Sequence, residues 1–346
     1  MIPVFDGHND LLLRLWSKTD GNPVRDFVEG DGQGHLDLPR MNRGGFAGGF
    51  FAIFVPSPED KDWVDDDDLN PPVAGEVRQP MALAATVEMA SLLFRLEDGS
   101  NGRFRVCRSA AELREAMDRG QVAAILHIEG AEAIDRDLHA LDVLYRAGLR
   151  SIGPVWSRSN VFGHGVPFRF PHSPDTGPGL TAEGKALVRR CGELKVLVDL
   201  SHLNERGFWD AAELGAAPLV ATHSNAHALS PSSRNLTDAQ LRAIGETGGM
   251  VGLNFANGFL RADGKWMSEN GLDSLLRHLD YMMRLAGEDH VGLGSDFDGC
   301  RLPAQIGDAA GLPVLIGAMR AHGYGEDLIR KLAHGNWLAA LERIIG

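Results

Sequence analysis

The stretch HVGLGSDFDG at residues 290–299 contains the pattern that decides the fold. A short apolar run ends here in serine, glycine and acidic residues. Runs of the same kind, apolar and closed by polar or glycine residues, recur along the chain at residues 2–10, 45–57, 122–130, 149–157, 195–202, 217–225 and 249–257. Continuous apolar runs of this length are typical of parallel strands that are buried on both faces.

Stretches with helical periodicity separate these runs. The clearest is LDSLLRHLDYMMRLA at residues 272–286, where apolar side chains recur every three or four positions. Further helices are predicted at residues 82–97, 109–119, 135–147, 181–194, 205–214, 237–246 and 326–344. Eight strands that alternate with helices predict an α/β fold, a (β/α)8 TIM-type barrel that occupies residues 1–346 as one domain. An open, doubly wound sheet is the alternative, but neither G-x-G-x-x-G nor a phosphate-binding loop follows an early strand.

Two long loops are predicted on the rim of the barrel. Residues 56–80 combine several prolines with the acidic run Asp65–Asp68. A solvated surface loop is the preferred interpretation, and a Ca²⁺ site is the alternative, although the spacing and closing glutamate of an EF-hand are missing. Residues 158–180 are rich in aromatic side chains. Since loops of this length in a compact domain are usually functional or disordered, the aromatic content favours an ordered functional loop.

The composition excludes several classes of protein. The chain of 346 residues has 34 Lys and Arg against 47 Asp and Glu, and its net charge of −13 argues against a nucleic acid as partner. It contains no apolar run long enough to span a membrane. The 3 cysteines are far apart, so neither a disulfide framework nor a cysteine zinc site is expected. The N-terminus lacks the pattern of a secretory signal, which predicts a cytoplasmic protein.

Residue types that bind metals stand at the ends of the predicted strands. In a (β/α)8 barrel these ends meet at one mouth, where the active site lies. Six residues from five strands are therefore expected to converge: His8, Asp10, Glu129, His202, His223 and Asp296. Three imidazoles and three carboxylates are costly to bury together unless a cation joins them. The set suits two divalent ions that share a bridging carboxylate such as Glu129 and activate a water, while the ligand types leave Zn²⁺, Mn²⁺, Co²⁺ and Ni²⁺ open.

Other polar residues near the strand ends are interpreted as supporting groups. Asp6, Asp199 and Asp298 are expected to be structural or to fix the tautomers of ligating imidazoles. His127 shares the strand parity of Glu129 but lies deeper along the strand, so it is interpreted either as a buried histidine with satisfied hydrogen bonds or as a residue that supports a metal ligand.

Five motifs in a fixed order carry a resemblance to a known family. They are FDGHNDLLLRLW from residue 5, IEGAEAI from residue 128, VDLSHLNE from residue 198, THSNAHAL followed by SRNL between residues 222 and 236, and GLGSDFDG from residue 292. Together they resemble the membrane (renal) dipeptidase family of zinc metallopeptidases, over roughly residues 2–345. The resemblance implies a barrel of the amidohydrolase type, a binuclear zinc site, a small dipeptide as substrate and, by association, a homodimer.

The resemblance also assigns roles to the residues at the barrel mouth. His8 and Asp10 match the ligands of one metal, His202 and His223 match those of the other, and Glu129 matches the bridge. Two further residues have roles in the reaction by the same comparison. Asp296 matches the acid that serves as general base or proton shuttle, and Arg234 matches the arginine that pairs with the carboxylate of the dipeptide, a pairing that suits a guanidinium fork.

Two positions depart from the pattern of the family. Trp156 stands where the family has a histidine that polarises the substrate, and its indole offers one neutral donor. His164 is the candidate substitute, and Ala256 stands near the place of a tyrosine that contacts substrate. These changes leave open the stereochemistry of the dipeptide, L-D dipeptides included. The alternatives are a hydrolase of the same barrel that acts on a lactone, cyclic amide or phosphoester, and a non-catalytic metal-binding protein.

The secreted members of the family have disulfides, a signal and a lipid-anchor signal. These features are missing from this sequence, which predicts a soluble member of bacterial type.

Overall fold

The barrel is built from parallel strands. The computed structural model describes residues 1–57, 68–216, 218–267 and 269–346. The strands in these ranges are β1 (Val4–Asn9), β2 (Phe46–Phe54), β3 (Phe104–Val106), β4 (Val122–Glu129), β5 (Leu149–Gly153), β6 (Leu197–Val198), β7 (Val220–Ala221), β8 (Met250–Asn254) and β9 (Val291–Gly294). Each predicted strand contains an observed one, and the short β3 was not predicted.

The strands follow the order β6-β5-β4-β2-β1-β9-β8-β7, with β3 attached to the outside of β4. The two ends of this path meet through a parallel bridge between Asp199 and Val220. The N–H of Leu200 also donates to the carbonyl of Val220 at 2.9 Å. The sheet is therefore a nearly closed barrel of eight strands, which confirms the (β/α)8 prediction over the open sheet.

Helices cover the outside of the barrel. They are α1 (Leu11–Trp16), α2 (Pro23–Glu29), α3 (Leu38–Gly44), α4 (Gln79–Gly99), α5 (Ala110–Asp118), α6 (His139–Ala147), α7 (Ala182–Leu194), α8 (Glu205–Glu213), α9 (Asp238–Glu246), α10 (Asn257–Leu260), α11 (Leu272–Ala286), α12 (Leu312–His322), α13 (Glu326–Arg330) and α14 (Asn336–Ile344). The helix predicted at residues 326–344 is divided by a π-helical turn at Lys331–Gly335.

Several helices begin at side-chain caps. Ser109, Thr181 and Thr237 each accept a hydrogen bond from a backbone N–H in the first turn. Among the described residues, periodicity missed α1, α2, α3, α10 and α12. Of these, α2 and α3 also have a cap, Asn22 and Asp37 respectively, with a proline in the first turn. These helices have seven residues each, which is too short for an amphipathic repeat to stand out.

The interior of the barrel is narrow beside the segment that follows β7. A Cβ atom at Gly7, Gly252 or Gly294 would lie 2.2, 1.9 or 2.1 Å from the carbonyl oxygen of Thr222. Such contacts are too short for any side chain, so glycine is required where β1, β8 and β9 approach this carbonyl. The next residue in the chain is His223, so this close packing fixes the backbone of a predicted metal ligand.

The two predicted rim loops contact each other. The backbone N–H of Phe170 donates to the carbonyl of Leu69 at 3.0 Å. Short bridges within 158–180 join Gly163 to Asn160 and to Leu180, so this loop is internally paired as expected of an ordered loop. Most of the acidic run of the first loop, Asp65–Asp67, lies outside the described residues. No helix in the described part of the chain has the length and apolar character that crossing a membrane requires.

Candidate active site

The mouth of the barrel brings five predicted metal ligands around one carboxylate oxygen. Oε1 of Glu129, at the end of β4, lies 2.9 Å from Nε2 of His202 and 3.3 Å from Nε2 of His223. The same oxygen lies 3.6 Å from Nε2 of His8, which is 3.3 Å from Oδ2 of Asp10. All five side chains are buried.

The pair His8 and Asp10 forms one half of this cluster. Both residues leave β1 two positions apart, so their side chains point to the same side. Neither nitrogen of the His8 ring has a hydrogen-bond partner among the described residues. Burial opposes the charged form of His8, but the carboxylates of Glu129 and Asp10 outweigh burial and raise the pKa of His8 to about 10. The ring therefore lies in a field that attracts positive charge.

His202 and His223 form the other half. Their Nε2 atoms lie 3.1 Å apart. Burial lowers the pKa of both rings well below the usual value, and the positive charges of Arg234 and His8 lower it further. Both imidazoles are therefore held neutral, which is the form that binds a metal.

The hydrogen bonds of Thr222 assign the tautomer of His223. The single hydroxyl proton of Thr222 is donated to Oδ2 of Asp199 at 2.6 Å. Nδ1 of His223 lies 2.8 Å from the same hydroxyl oxygen, so this nitrogen is the donor of that contact. Nε2 is thereby left with a free lone pair that faces Glu129. On the other ring, Nδ1 of His202 contacts the hydroxyl of Ser157 at 2.8 Å.

Asp199 acts as an anchor for this network. Its Oδ1 accepts from the N–H of Ser201, the hydroxyl of Ser201 and the N–H of Thr222, at 3.1, 2.6 and 2.9 Å. Since Asp199 also accepts the hydroxyl proton of Thr222, it orients His223 through that hydroxyl. Asp6 has a similar part, since it accepts from the N–H and hydroxyl of Ser295 at 2.6 and 2.8 Å beside the end of β9.

The chemistry of this donor set fits divalent cations. His8, Asp10 and Glu129 form one group whose ligand atoms lie within 4.8 Å of one another, and Glu129, His202 and His223 form a second such group. Burial raises the pKa of Glu129 well above its ordinary value, despite the attraction of His8. A buried carboxylate beside the neutral imidazoles of His202 and His223 and the unpartnered ring nitrogens of His8 is an arrangement that a bound cation stabilises.

Asp296 lies at the same mouth, immediately after β9. Its backbone is in the left-handed region with φ of 60°, which aspartate tolerates better than most residues. Its N–H donates to the carbonyl of His8 at 3.0 Å, and its Oδ2 accepts from the amide of Asn254 at 2.9 Å. Burial raises the pKa of Asp296, and the charge of His8 partly opposes that rise.

Arg234 lies under the mouth with only 2% of its surface exposed. Its Nη1 donates to the hydroxyl of Ser224 at 2.7 Å and its Nη2 to the carbonyl of His223 at 3.0 Å. Its Nε has no hydrogen-bond partner among the described residues. Burial lowers the pKa of Arg234 to about 10, so the guanidinium stays charged at neutral pH. A buried cation with a free donor is suited to an anionic group of a ligand.

Trp156 belongs to an aromatic wall beside His202. Its ring centroid lies 4.9 Å from that of Phe54, 5.5 Å from that of Phe168 and 5.8 Å from that of His202. The buried guanidinium of Arg158 lies 5.5 Å from the centre of the Trp156 ring. His164 lies in loop 158–180, where its Nδ1 is 3.0 Å from the hydroxyl of Ser159.

Several residues of this site were missed in the sequence. Ser157, Thr222 and Asn254 touch predicted site residues directly, and Arg158 makes an ion pair with Glu132 at 2.8 Å behind Trp156. Their position next to a strand end was the available signal. Nothing in the sequence, however, distinguishes these serine, threonine and asparagine residues from others at loop starts.

Comparison with known proteins agrees with this geometry. The family model described as membrane dipeptidase, peptidase family M19, matches residues 1–345. The chain is 56% identical to a metallopeptidase from Rhodobacter sphaeroides, whose crystal structure holds a phosphinate mimic of the dipeptide L-Ala-D-Ala; the match covers 99% of both chains with a TM-score of 0.95.

Two further relatives extend the comparison. The chain is 57% identical to the metallopeptidase dipeptidase AC, over 100% of this chain and 99% of that one, with a TM-score of 0.94. It is 51% identical over 257 residues to a Klebsiella pneumoniae protein named from the pqqA 5′ region, covering 74% of this chain and 95% of that protein. The chain therefore belongs to the membrane dipeptidase family of metallopeptidases, peptidase family M19.

Proposed function

We propose that this chain is a two-metal dipeptidase that hydrolyses small dipeptides with a free carboxylate, including those with a D-residue at the C-terminal side. The observation that carries the proposal is the position of Glu129, whose Oε1 lies within 3.6 Å of Nε2 of His8, His202 and His223. Glu129 therefore belongs to both groups of candidate ligands, as a carboxylate shared by two metals must.

The proposed ligands divide between two divalent cations. His8 and Asp10 would hold one, His202 and His223 would hold the other, and Glu129 would be shared by both. Zinc is the proposed metal, since imidazole and carboxylate ligands suit it and the chain belongs to a family of metallopeptidases. The chemistry that such cations supply is polarisation of the scissile carbonyl and generation of a nucleophilic water at neutral pH.

The chain itself supplies proton transfer and orientation. Asp296 and Glu129 are the proposed catalytic carboxylates. Asp296 takes the proton that the attacking water loses and delivers it to the leaving amine, which a carboxyl with a raised pKa can do in both directions. Arg234 binds the carboxylate of the dipeptide through its unpartnered Nε–H and so fixes the peptide bond relative to Glu129.

The aromatic wall supports a preference for small apolar side chains. Trp156 and Phe168 are only partly buried, and both rings lie within 6.4 Å of the ring of His202. We propose that Trp156 contacts a substrate side chain and that His164 approaches the substrate from loop 158–180. The relative that binds a phosphinate mimic of L-Ala-D-Ala, at 56% identity, supports an L-D dipeptide as substrate.

Trp156 also favours a second candidate. Because indole cannot supply a charged donor, a substrate whose carbonyl needs less polarisation than a peptide, such as a lactone, suits this site.

The cytoplasmic location and the homodimer remain predictions, which cell fractionation and size-exclusion chromatography will test.

The test is turnover by the metal-loaded chain over a panel of L-L and L-D dipeptides, lactones and phosphotriesters, with metal analysis of the same sample. We expect about two ions per chain and the highest kcat/KM on an L-D dipeptide with small side chains. A loaded protein that cleaves no dipeptide but opens a lactone would support the second candidate. Turnover of no compound would leave a metal-binding protein.

A further inference from the structure

The side chain of Asn254 connects Asp296 with the backbone that follows β8. It is the last residue of β8, and its side chain is completely buried. Its Nδ2 donates to Oδ2 of Asp296 at 2.9 Å, and its Oδ1 accepts from the N–H of Ala256 at 2.7 Å. Both ends of the amide therefore have a partner of the right kind.

These partners determine the orientation of the amide. The N–H of Ala256 can only donate, so the atom of Asn254 that faces it must be the oxygen. The nitrogen then faces Asp296, and the flipped arrangement would put two donors against each other and two acceptors against each other. The amide nitrogen of Asn254 therefore donates a hydrogen bond to one oxygen of Asp296.

The backbone of Asn254 is also held, by the side chain of Asn225. The Nδ2 of Asn225 donates to the carbonyl of Asn254 at 2.9 Å, and its Oδ1 accepts from the N–H of Asn254 at 3.0 Å. This pair of bonds continues the strand pairing of β7 and β8 beyond the end of β7. Asn225 follows His223 by two residues, so the same segment fixes a metal ligand and the support of Asp296.

The other oxygen of Asp296 lies near Asp10, one of the proposed metal ligands. A Cβ atom at Gly299 would lie 2.5 Å from Oδ1 of Asp296 and 2.1 Å from Oδ2 of Asp10, so these two oxygens lie close to the same point. Asn254 engages Oδ2 and leaves Oδ1 on the side of Asp10.

We propose that Asn254 is the positioning residue of the dipeptidase reaction: its amide holds the Asp296 carboxylate with Oδ1 toward the metal ligands, where proton transfer takes place. The proposal rests on the proposed function of the site. A carboxylate with no second support would rotate about its side-chain bonds, and a misplacement of about 1 Å in such a group can lower the rate about 100-fold.

The informative variant is Asn254→Ser. A serine hydroxyl can still accept from the N–H of Ala256 but is too short to reach Asp296, so this variant removes mainly one hydrogen bond. We expect kcat on the best dipeptide to fall about 10-fold to 100-fold, KM to change by less than about 2-fold, and the metal content to stay at the wild-type value. Asn254→Ala serves as a second variant if the serine variant folds poorly.

Asn336→Ala is the matched control. Asn336 is also a buried asparagine, and its amide donates to the carbonyls of Glu288 and Val291 at the opposite end of β9. We expect it to lower the free energy of unfolding by a similar amount with little change in kcat. A kcat loss as large in Asn336→Ala as in Asn254→Ser would overturn the proposal, since it would mark a general effect of stability.

Two further measurements separate positioning from other roles. In an Asp296→Ala background, Asn254→Ser should reduce kcat by less than about 2-fold further, because the group on which it acts is gone. Crystal structures of the variant should have the Asp296 carboxylate rotated away from Asp10. An unchanged Asp296 together with an unchanged kcat would refute the role of Asn254, whereas inactivity of the wild-type chain on all dipeptides would refute the proposed function instead.

Discussion

The Nε2 atoms of His202 and His223 lie 3.1 Å apart, and the hydroxyl of Thr222 leaves the His223 nitrogen without a proton. The two nitrogens converge on Oε1 of Glu129. The unprotonated Nε2 of His223 and Oε1 of Glu129 are only 3.3 Å apart and repel one another unless a proton or a cation lies between them. Burial lowers the pKa of both rings well below the usual value, so a cation is the better partner at neutral pH.

The convergence of His202 and His223 on Glu129 predicts that metal removal destabilises the fold. An ion that binds only the folded chain adds about 4 kcal/mol to the free energy of unfolding when its concentration is about 1,000 times Kd. We expect chelation to lower the melting temperature and Zn²⁺ to restore it, measured by calorimetry alongside metal analysis. His223→Gln should lose most of this response, whereas the control His322→Gln, in an exposed pair with Asp280, should keep it. An equal response in both variants would contradict the assignment.

Asp296→Asn tests the proton-transfer role. The amide is nearly isosteric and can still accept from Asn254 through its oxygen, so the variant should fold and keep its metals. Loss of general acid–base catalysis predicts a kcat about 100-fold to 10,000-fold lower. Steady-state kinetics and metal analysis on the same preparation check this. A variant within about 3-fold of the wild-type kcat would assign the proton transfer to another group.

Arg234→Lys tests recognition of the substrate carboxylate. Lysine keeps the charge but loses the planar fork, so we expect KM for a free dipeptide to rise about 10-fold to 100-fold with a smaller effect on kcat. The comparison substrate is the same dipeptide with an amidated C-terminus. The wild type should bind this amide poorly, and the kinetic constants of the variant on the amide should be close to those of the wild type. Equal effects of the substitution on acid and amide would mean that Arg234 does not pair with the carboxylate.

Protonation of His278 is expected to destabilise the folded chain in acid. Its Nδ1 accepts from the N–H of Ala226 at 3.1 Å, and its Nε2 faces the carbonyl of Leu260 at 3.2 Å, so the folded chain needs the neutral ring. Burial lowers the pKa of His278 to about 4. The unfolded chain, with a pKa near 6.5, then binds the proton first as the pH falls. The contribution of His278 to the free energy of unfolding is fully present above pH ~6.5. It falls by roughly 3 kcal/mol as the pH decreases from ~6.5 to ~4.

Urea unfolding of the wild type and of His278→Gln between pH 4 and pH 8 measures this decline. The glutamine variant should be less stable at pH 7, and the difference from wild type should shrink as the pH falls through this window. Because the other titrating groups are the same in both proteins, the difference isolates His278. A difference that is constant with pH would mean that the ring is not held neutral by the fold.

Much of the candidate site could be predicted from the sequence because its proposed ligands stand at strand ends. His8, Asp10, Glu129, His202, His223 and Asp296 each follow or close an apolar run, and a barrel collects such ends at one mouth. The short helices α2 and α3 were missed, although each has a cap residue and a proline, because periodicity needs more than two turns to be visible.

The sequence by itself determined the alternation of strands and helices and the residues at the strand ends, since both depend on local periodicity. Only the tertiary structure decided which polar groups meet. Thr222 and Asp199 are 23 positions apart, and Asn254 and Asp296 are 42 apart, yet each pair is joined by a short hydrogen bond. The reason is that such contacts depend on the order of the strands and the closure of the barrel, whereas the hydrophobic pattern records only which face of each element is buried.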